Sequence, residues 1–189
     1  MPINIPILLT WGRILLIPLF VGVFYFPHHW LNPPEQNLAA TIIFVLAAIT
    51  DWLDGYLARS LKQTSAFGAF LDPVADKLMV AAALIILVQL GRVDATVAFI
   101  IIGREIAVSA LREWMAQMGA STSVAVSVLG KIKTISQMVA IPMLLYSNPL
   151  SFFSPQLVGT WLIYVATVLT LWSMAYYLKM AWPHMAERS

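Results

Sequence analysis

Asp51-Trp52-Leu53-Asp54-Gly55-Tyr56-Leu57-Ala58-Arg59, followed after eight residues by Gly68-Ala69-Phe70-Leu71-Asp72-Pro73-Val74-Ala75-Asp76, places four carboxylates within 26 residues of a chain that has nine acidic residues in 189. Long apolar runs flank this segment on both sides. An ionised carboxylate near hydrocarbon costs on the order of several kcal/mol, so such a cluster requires compensation. Divalent metal compensates four clustered negatives most directly.

The surrounding composition is that of a membrane protein. Hydrophobic residues make up 60% of the chain and the mean hydropathy is +0.83, against about 45–50% apolar residues in soluble domains. At ~20 residues per span, the chain holds one membrane domain, residues 1–189, with no space for a soluble second domain. Apolar windows near 7–26, 38–53, 71–90, 95–115, 124–146 and 156–181 predict an all-α fold: a polytopic bundle of six transmembrane helices. The run from Ile14 to Phe26 follows Arg13 but ends in Pro27-His28-His29-Trp30, which reads as a retained signal-anchor rather than a cleaved leader.

Three polar breaks, 27–37, 91–94 and 147–155, read as loops. Placed on one side of the membrane, they contain one of the eleven Lys and Arg residues, Arg92. The other ten lie at or near the opposite side, which the positive-inside rule makes cytoplasmic, together with both termini. Phe26, Trp30, Tyr146, Phe152 and Phe153 then fall at the outer interface, and Trp114, Tyr176, Tyr177 and Trp182 at the inner one. The second apolar run continues as helix through Asp51–Arg59, which carries the carboxylates to the cytoplasmic boundary. His28 and His29 belong to the outer loop, away from the aspartates.

A net charge of +2 excludes nucleic acid as an expected partner. The absence of Cys excludes disulfides and thiolate chemistry and leaves oxygen ligands for any metal. On a helix, Asp51 and Asp54 share a face, with Ala58 one turn further, and Asp72 and Asp76 share another. Residues 60–67 are enough to reverse the chain, so two antiparallel helices would point the pairs at each other. That arrangement suits Mg²⁺ or Mn²⁺, with two ions per site. Gly55, Ala58 and Gly68 leave space for a phosphate or nucleotide, and equally for close packing of membrane helices.

The pattern Asp51-x(2)-Asp54-Gly55-x(2)-Ala58-Arg59-x(8)-Gly68-x(3)-Asp72-x(3)-Asp76 resembles the signature of the CDP-alcohol phosphotransferases at every fixed position. The resemblance implies a six-helix membrane bundle, usually a homodimer, in which an alcohol displaces CMP from a CDP-linked lipid. It implies metal ligation by Asp51, Asp54, Asp72 and Asp76, with Asp76 also the general base. Gly55, Ala58, Arg59 and Gly68 would line the site of the CDP-linked donor. Asn4-Ile5-Pro6-Ile7-Leu8-Leu9-Thr10-x(2)-Arg13 also resembles the family, and adds Asn4 and Thr10 to the donor site. Ile7 stands where members often carry a second Asn.

The acceptor has to be read elsewhere. Arg104 and Arg112 are eight residues apart, about 12 Å along a helix, and Lys131 and Lys133 begin the fifth span. With Arg13 they would form an anion pocket. Basic residues at cytoplasmic helix ends also follow from topology and lipid headgroups alone, and Arg104 stands beside Glu105 as a candidate structural ion pair. The segments Arg104–Trp114 and Ser123–Thr134 are similar to the bacterial branch of the family that makes phosphatidylglycerol phosphate. That similarity implies CDP-diacylglycerol as donor and sn-glycerol 3-phosphate as acceptor, held by Arg104, Arg112, Lys131, Lys133 and Arg13, in the bacterial inner membrane. Inositol phosphate is an alternative acceptor. A divalent-cation transporter is a rival from another class, opposed by the nearly pure apolar outer halves of the spans.

Overall fold

The structure is a computed structural model that describes residues 5–60, 66–117, 128–149 and 152–186. These form six helices and no β-strand: α1 (Ile5–Val23), α2 (Pro33–Ser60), α3 (Ala66–Gln89), α4 (Ala95–Gln117), α5 (Val128–Tyr146) and α6 (Pro155–Ala186). Each falls on one of the six apolar windows.

One boundary differs from the sequence expectation. Residues 33–37, read as loop, are the first turns of α2. Asn32 and Glu35 form a reciprocal cap: the Glu35 N–H donates to Asn32 Oδ1 at 3.0 Å, and the Asn32 N–H donates to Glu35 Oε2 at 2.9 Å. Pro33 occupies the first helical position, where its missing N–H costs nothing. The Pro-Pro pair therefore starts the helix.

α5 packs along α6, α1 against α2 and α3, α2 against α5, and α4 against α6 and α3. Their shared core holds Phe20, Phe44, Leu84, Leu87, Ile101, Ile141, Leu144, Leu145 and Ile163. Pro18, Pro73 and Pro142 lie inside helices, a placement that membrane bundles tolerate. At Gly159 α6 comes so close to α5 that an added Cβ would lie 2.8 Å from Leu144 Cγ and 3.2 Å from the Ala140 carbonyl oxygen. Gly159→Ala is therefore expected to cost about 1–3 kcal/mol by overpacking, visible as earlier thermal unfolding in detergent micelles.

Two segments, Pro33–Asp54 of 22 residues and Pro155–Lys179 of 25, are long and apolar enough to cross a membrane by length and composition. Leu8–Val23 and Ile132–Tyr146 are shorter apolar helices. α3 and α4 are comparably long, at 24 and 23 residues, but their charges interrupt the apolar run: Asp72, Asp76 and Lys77 in α3, Arg104, Glu105, Arg112 and Glu113 in α4. Large apolar side chains point outward all round the bundle, including Phe99 at 76% exposure, Trp161 at 67% and Trp172 at 66%. Soluble monomers seldom present so much apolar surface.

The end of the bundle away from the aspartates is tied by one arginine. Gly91, at a φ of +67°, closes α3 in a Schellman turn in which the Arg92 N–H reaches the Leu87 carbonyl at 2.9 Å. Arg92 then donates to the carbonyls of Leu144 (3.0 Å) and Leu145 (2.6 Å) and to Asn37 Oδ1 (2.9 Å). The cation thereby satisfies the carboxyl-terminal carbonyls of α5 and joins three helices. Next to it, Asp94 caps α4 by accepting the Thr96 N–H at 2.7 Å, and this bond holds its carboxyl below the ordinary carboxylate range. Phe26, Trp30, Phe152 and Phe153 are exposed at this end.

Candidate active site

At the opposite end three of the four aspartates, Asp51, Asp54 and Asp72, meet α1. Thr10 and Arg13 are one turn apart on that helix and both are buried. Thr10 Oγ1 donates to Asp72 Oδ1 at 2.6 Å. Arg13 spans the other pair, Nη1 to Asp51 and Nη2 to Asp54. The planar guanidinium fork fits two carboxylates set one helical turn apart. Asp54 is 3% exposed and Arg13 2%, whereas the Asp51 side chain is 43% exposed. Arg13 was grouped with the acceptor cations on sequence grounds. In the structure it sits against Asp51 and Asp54, brought there by the packing of α1 on α2.

Asp76, one turn beyond Asp72, faces a different neighbourhood. It lines a cavity of about 180 Å³ with Lys77, Arg104, Glu105, Lys133, Thr134, Gln137 and Tyr177. At roughly 10–15 Å³ per water-sized group, that space admits a small phosphorylated alcohol. A narrow second cavity, lined by Arg13, Asp76 and Met138 among others, lies between this space and the Arg13 cluster. Asp76 thus stands between the carboxylate cluster and the basic cavity.

Of the three cations lining that cavity, Arg104 and Lys133 are buried and engaged. Arg104 donates to Ser173 Oγ at 2.9 Å and to Glu105 Oε1 at 3.4 Å, and its guanidinium lies 5.8 Å from the centre of the Tyr177 ring. Lys133 forms an ion pair with the same oxygen of Glu105. Of the two sequence readings of Arg104, the ion pair with Glu105 is present, and the residue also lines the cavity that would receive an anion. Tyr177 is only 4% exposed, so it is a wall of this cavity and not an interfacial aromatic as the sequence suggested. Its neighbour Tyr176, at 48% exposure, keeps the outward position.

The remaining predicted residues are placed with less detail. Gly68 is buried in the first turn of α3. Gly55, Ala58 and Arg59 fall in the last turns of α2, Arg112 near the end of α4 and Lys131 in the first turn of α5; for these five the helical backbone alone is described. Asn4 lies outside the described residues. Glu105, Gln137, Ser173 and Tyr177 were not singled out from sequence as site residues. The available signal was polar residues on buried helical stripes: Lys133, Gln137, Ala140, Ile141 and Leu144 follow one face of α5, and Ser173 and Tyr177 one face of α6.

Among the described residues, no three His, Cys, Asp or Glu side chains converge as a metal site in this conformation. Arg13 bridges Asp51 and Asp54, and Thr10 holds Asp72. The donor set still fits a hard divalent cation. It consists of carboxylate oxygens, and a cationic group is already seated between two of them.

A sequence model of CDP-alcohol phosphatidyltransferases matches residues 3–172. Similar curated proteins include a CDP-diacylglycerol–glycerol-3-phosphate 3-phosphatidyltransferase of Pseudomonas fluorescens, 52% identical over 185 residues, covering 96% of this chain and 92% of that one. Proteins of the same name are 49% identical in Haemophilus influenzae, covering 96% of this chain and 95% of that one, and 48% identical in Yersinia enterocolitica, covering 99% and 100%.

Proposed function

The chain belongs to the CDP-alcohol phosphatidyltransferase family, and from that premise we propose that it transfers the phosphatidyl group of CDP-diacylglycerol to sn-glycerol 3-phosphate. The products are CMP and phosphatidylglycerol phosphate, so the enzyme serves phospholipid biosynthesis. Its relatives carry the name of this reaction. The observation that carries the site assignment is Asp76 lining one cavity with Arg104 and Lys133, beside the carboxylates that Thr10 and Arg13 engage.

The acceptor phosphate enters the basic cavity, where Arg104 and Lys133 take it from Glu105; the family resemblance adds Arg112, Lys131 and Arg13 to the acceptor site. A primary hydroxyl of the acceptor then lies toward Asp76. As its oxygen bonds to the lipid-linked phosphorus, Asp76 takes its proton and the bond from phosphorus to CMP breaks. Asn4, Thr10, Gly55, Ala58, Arg59 and Gly68 hold the donor headgroup. Asp51, Asp54, Asp72 and Asp76 would hold Mg²⁺ or Mn²⁺, two ions per site, and such ions neutralise the diphosphate and the departing CMP. An apolar groove lined by Phe44, Val45, Ala48, Ile49, Trp52, Met138 and Pro142 reaches this end of the bundle from the side. It gives the lipid tails a path to the site without leaving the bilayer.

All six helices cross the membrane in this reading, with the carboxylate end and both termini at the cytoplasmic face of a bacterial inner membrane. The charges at one end of α3 and α4 then reach headgroups and water, while outward Phe99 and Trp161 meet lipid. A homodimer follows from the family resemblance.

Purified protein given CDP-diacylglycerol and Mg²⁺ is expected to release CMP with glycerol 3-phosphate, far more slowly with inositol phosphate or phosphatidylglycerol, and not at all after chelation. Release that is indifferent to glycerol 3-phosphate would remove the acceptor assignment and leave the family intact. Release that persists in chelator would remove the metal.

A further inference from the structure

Gln137 projects from α5 one turn beyond Lys133, about 6 Å along the helix, and both side chains line the Asp76 cavity. It is 4% exposed, and its Oε1 is buried without a hydrogen-bond partner. Buried polar atoms are nearly always paired, so an unpartnered acceptor on a residue of the cavity wall points to a donor that arrives with a ligand. The cationic donors of the cavity do not serve it: Arg104 is turned to Ser173 and Glu105, Lys133 to Glu105, and Lys77 makes no bond to it. A doubly ionised phosphate has no proton to donate. A hydroxyl group does.

We propose that Gln137 accepts a hydrogen bond from the secondary hydroxyl of the acceptor alcohol and so selects a three-carbon polyol phosphate over a simple hydroxyalkyl phosphate. The inference rests on the acceptor reading given above. With the phosphate drawn to Lys133 and Arg104 and the primary hydroxyl directed to Asp76, the middle hydroxyl falls along the wall that carries Gln137. Arg104, Lys133 and Asp76 are then committed to the phosphate and the primary hydroxyl. The glutamine carbonyl supplies the complement that the acidic and basic residues cannot.

The test compares CMP release with sn-glycerol 3-phosphate and with 3-hydroxypropyl phosphate, which lacks the secondary hydroxyl. Wild-type protein is expected to prefer glycerol 3-phosphate by about 10- to 100-fold in kcat/KM. Q137M, of similar volume but without the acceptor atom, is expected to lose that preference. The loss comes from weaker use of glycerol 3-phosphate, with the deoxy acceptor unchanged; a purely structural role would lower both equally. Equal use of the two acceptors by the wild type overturns the proposal, even where Q137M does not fold. So does a Q137M protein that keeps the wild-type ratio. Wild-type activity with neither acceptor, but with some other alcohol, overturns the acceptor reading as well, which separates the two failures.

Discussion

Asp76→Asn is expected to lower turnover by about 100- to 10,000-fold, the usual contribution of a positioned general base, while binding of CDP-diacylglycerol stays close to wild type. The amide keeps the size and the hydrogen-bonding reach of the carboxylate but does not take a proton from a hydroxyl. Asp76 is the aspartate that lines the cavity with Arg104 and Lys133, whereas Asp51, Asp54 and Asp72 are engaged from α1. The loss therefore belongs in the chemical step. Steady-state CMP release set against equilibrium donor binding separates the two quantities, and turnover near the wild-type rate would assign the proton to another group.

Asp54→Ala is expected to destabilise the metal-free protein by about 3 kcal/mol, because removing one partner of a buried ion pair leaves the other charge uncompensated. Arg13 would stay buried at 2% exposure with Asp51 as its remaining carboxylate. Asp51 is 43% exposed at its side chain, so water screens that pair and it recovers little of the loss. At roughly 2–4 °C per kcal/mol for a chain of this size, unfolding in chelator should begin about 6–12 °C earlier. The double variant Arg13→Met with Asp54→Leu should regain most of the difference, since apolar side chains of similar volume replace a buried pair without leaving a charge behind. If Asp54→Ala alone unfolds at the wild-type temperature, Arg13 is not held by Asp54 in solution.

These two expectations draw on different levels of the molecule. The aspartates were legible because their meaning lies in spacing: Asp51 and Asp54, then Asp72 and Asp76, fall on common helix faces whatever those helices pack against. The two halves of the basic cavity were legible only as separate pieces. Arg104 and Lys133 could be named, but not that Glu105 joins them or that Ser173, 69 residues from Arg104, holds the guanidinium. Gln137 and Tyr177 escaped because an amide in an apolar stripe and a tyrosine near a membrane boundary are ordinary in a bundle of this kind. Arg13 was identified as a functional candidate, and its contacts to Asp51 and Asp54 became visible only in the structure.

The amino-acid sequence by itself determined the all-α class, the six helical windows, the grouping of the carboxylates on helix faces and the family. Each of these depends on composition or on separations of a few residues, which the 3.6-residue helical repeat converts directly into geometry. Only the tertiary structure decided that α1 engages three of the four aspartates, through contacts spanning 38, 41 and 62 residues, and that Asp76 opens instead on the cavity of α4, α5 and α6. A helix repeat fixes which way a side chain points from its own axis. How the helices rotate and approach one another is settled by side-chain packing over the whole bundle, and no local spacing records it.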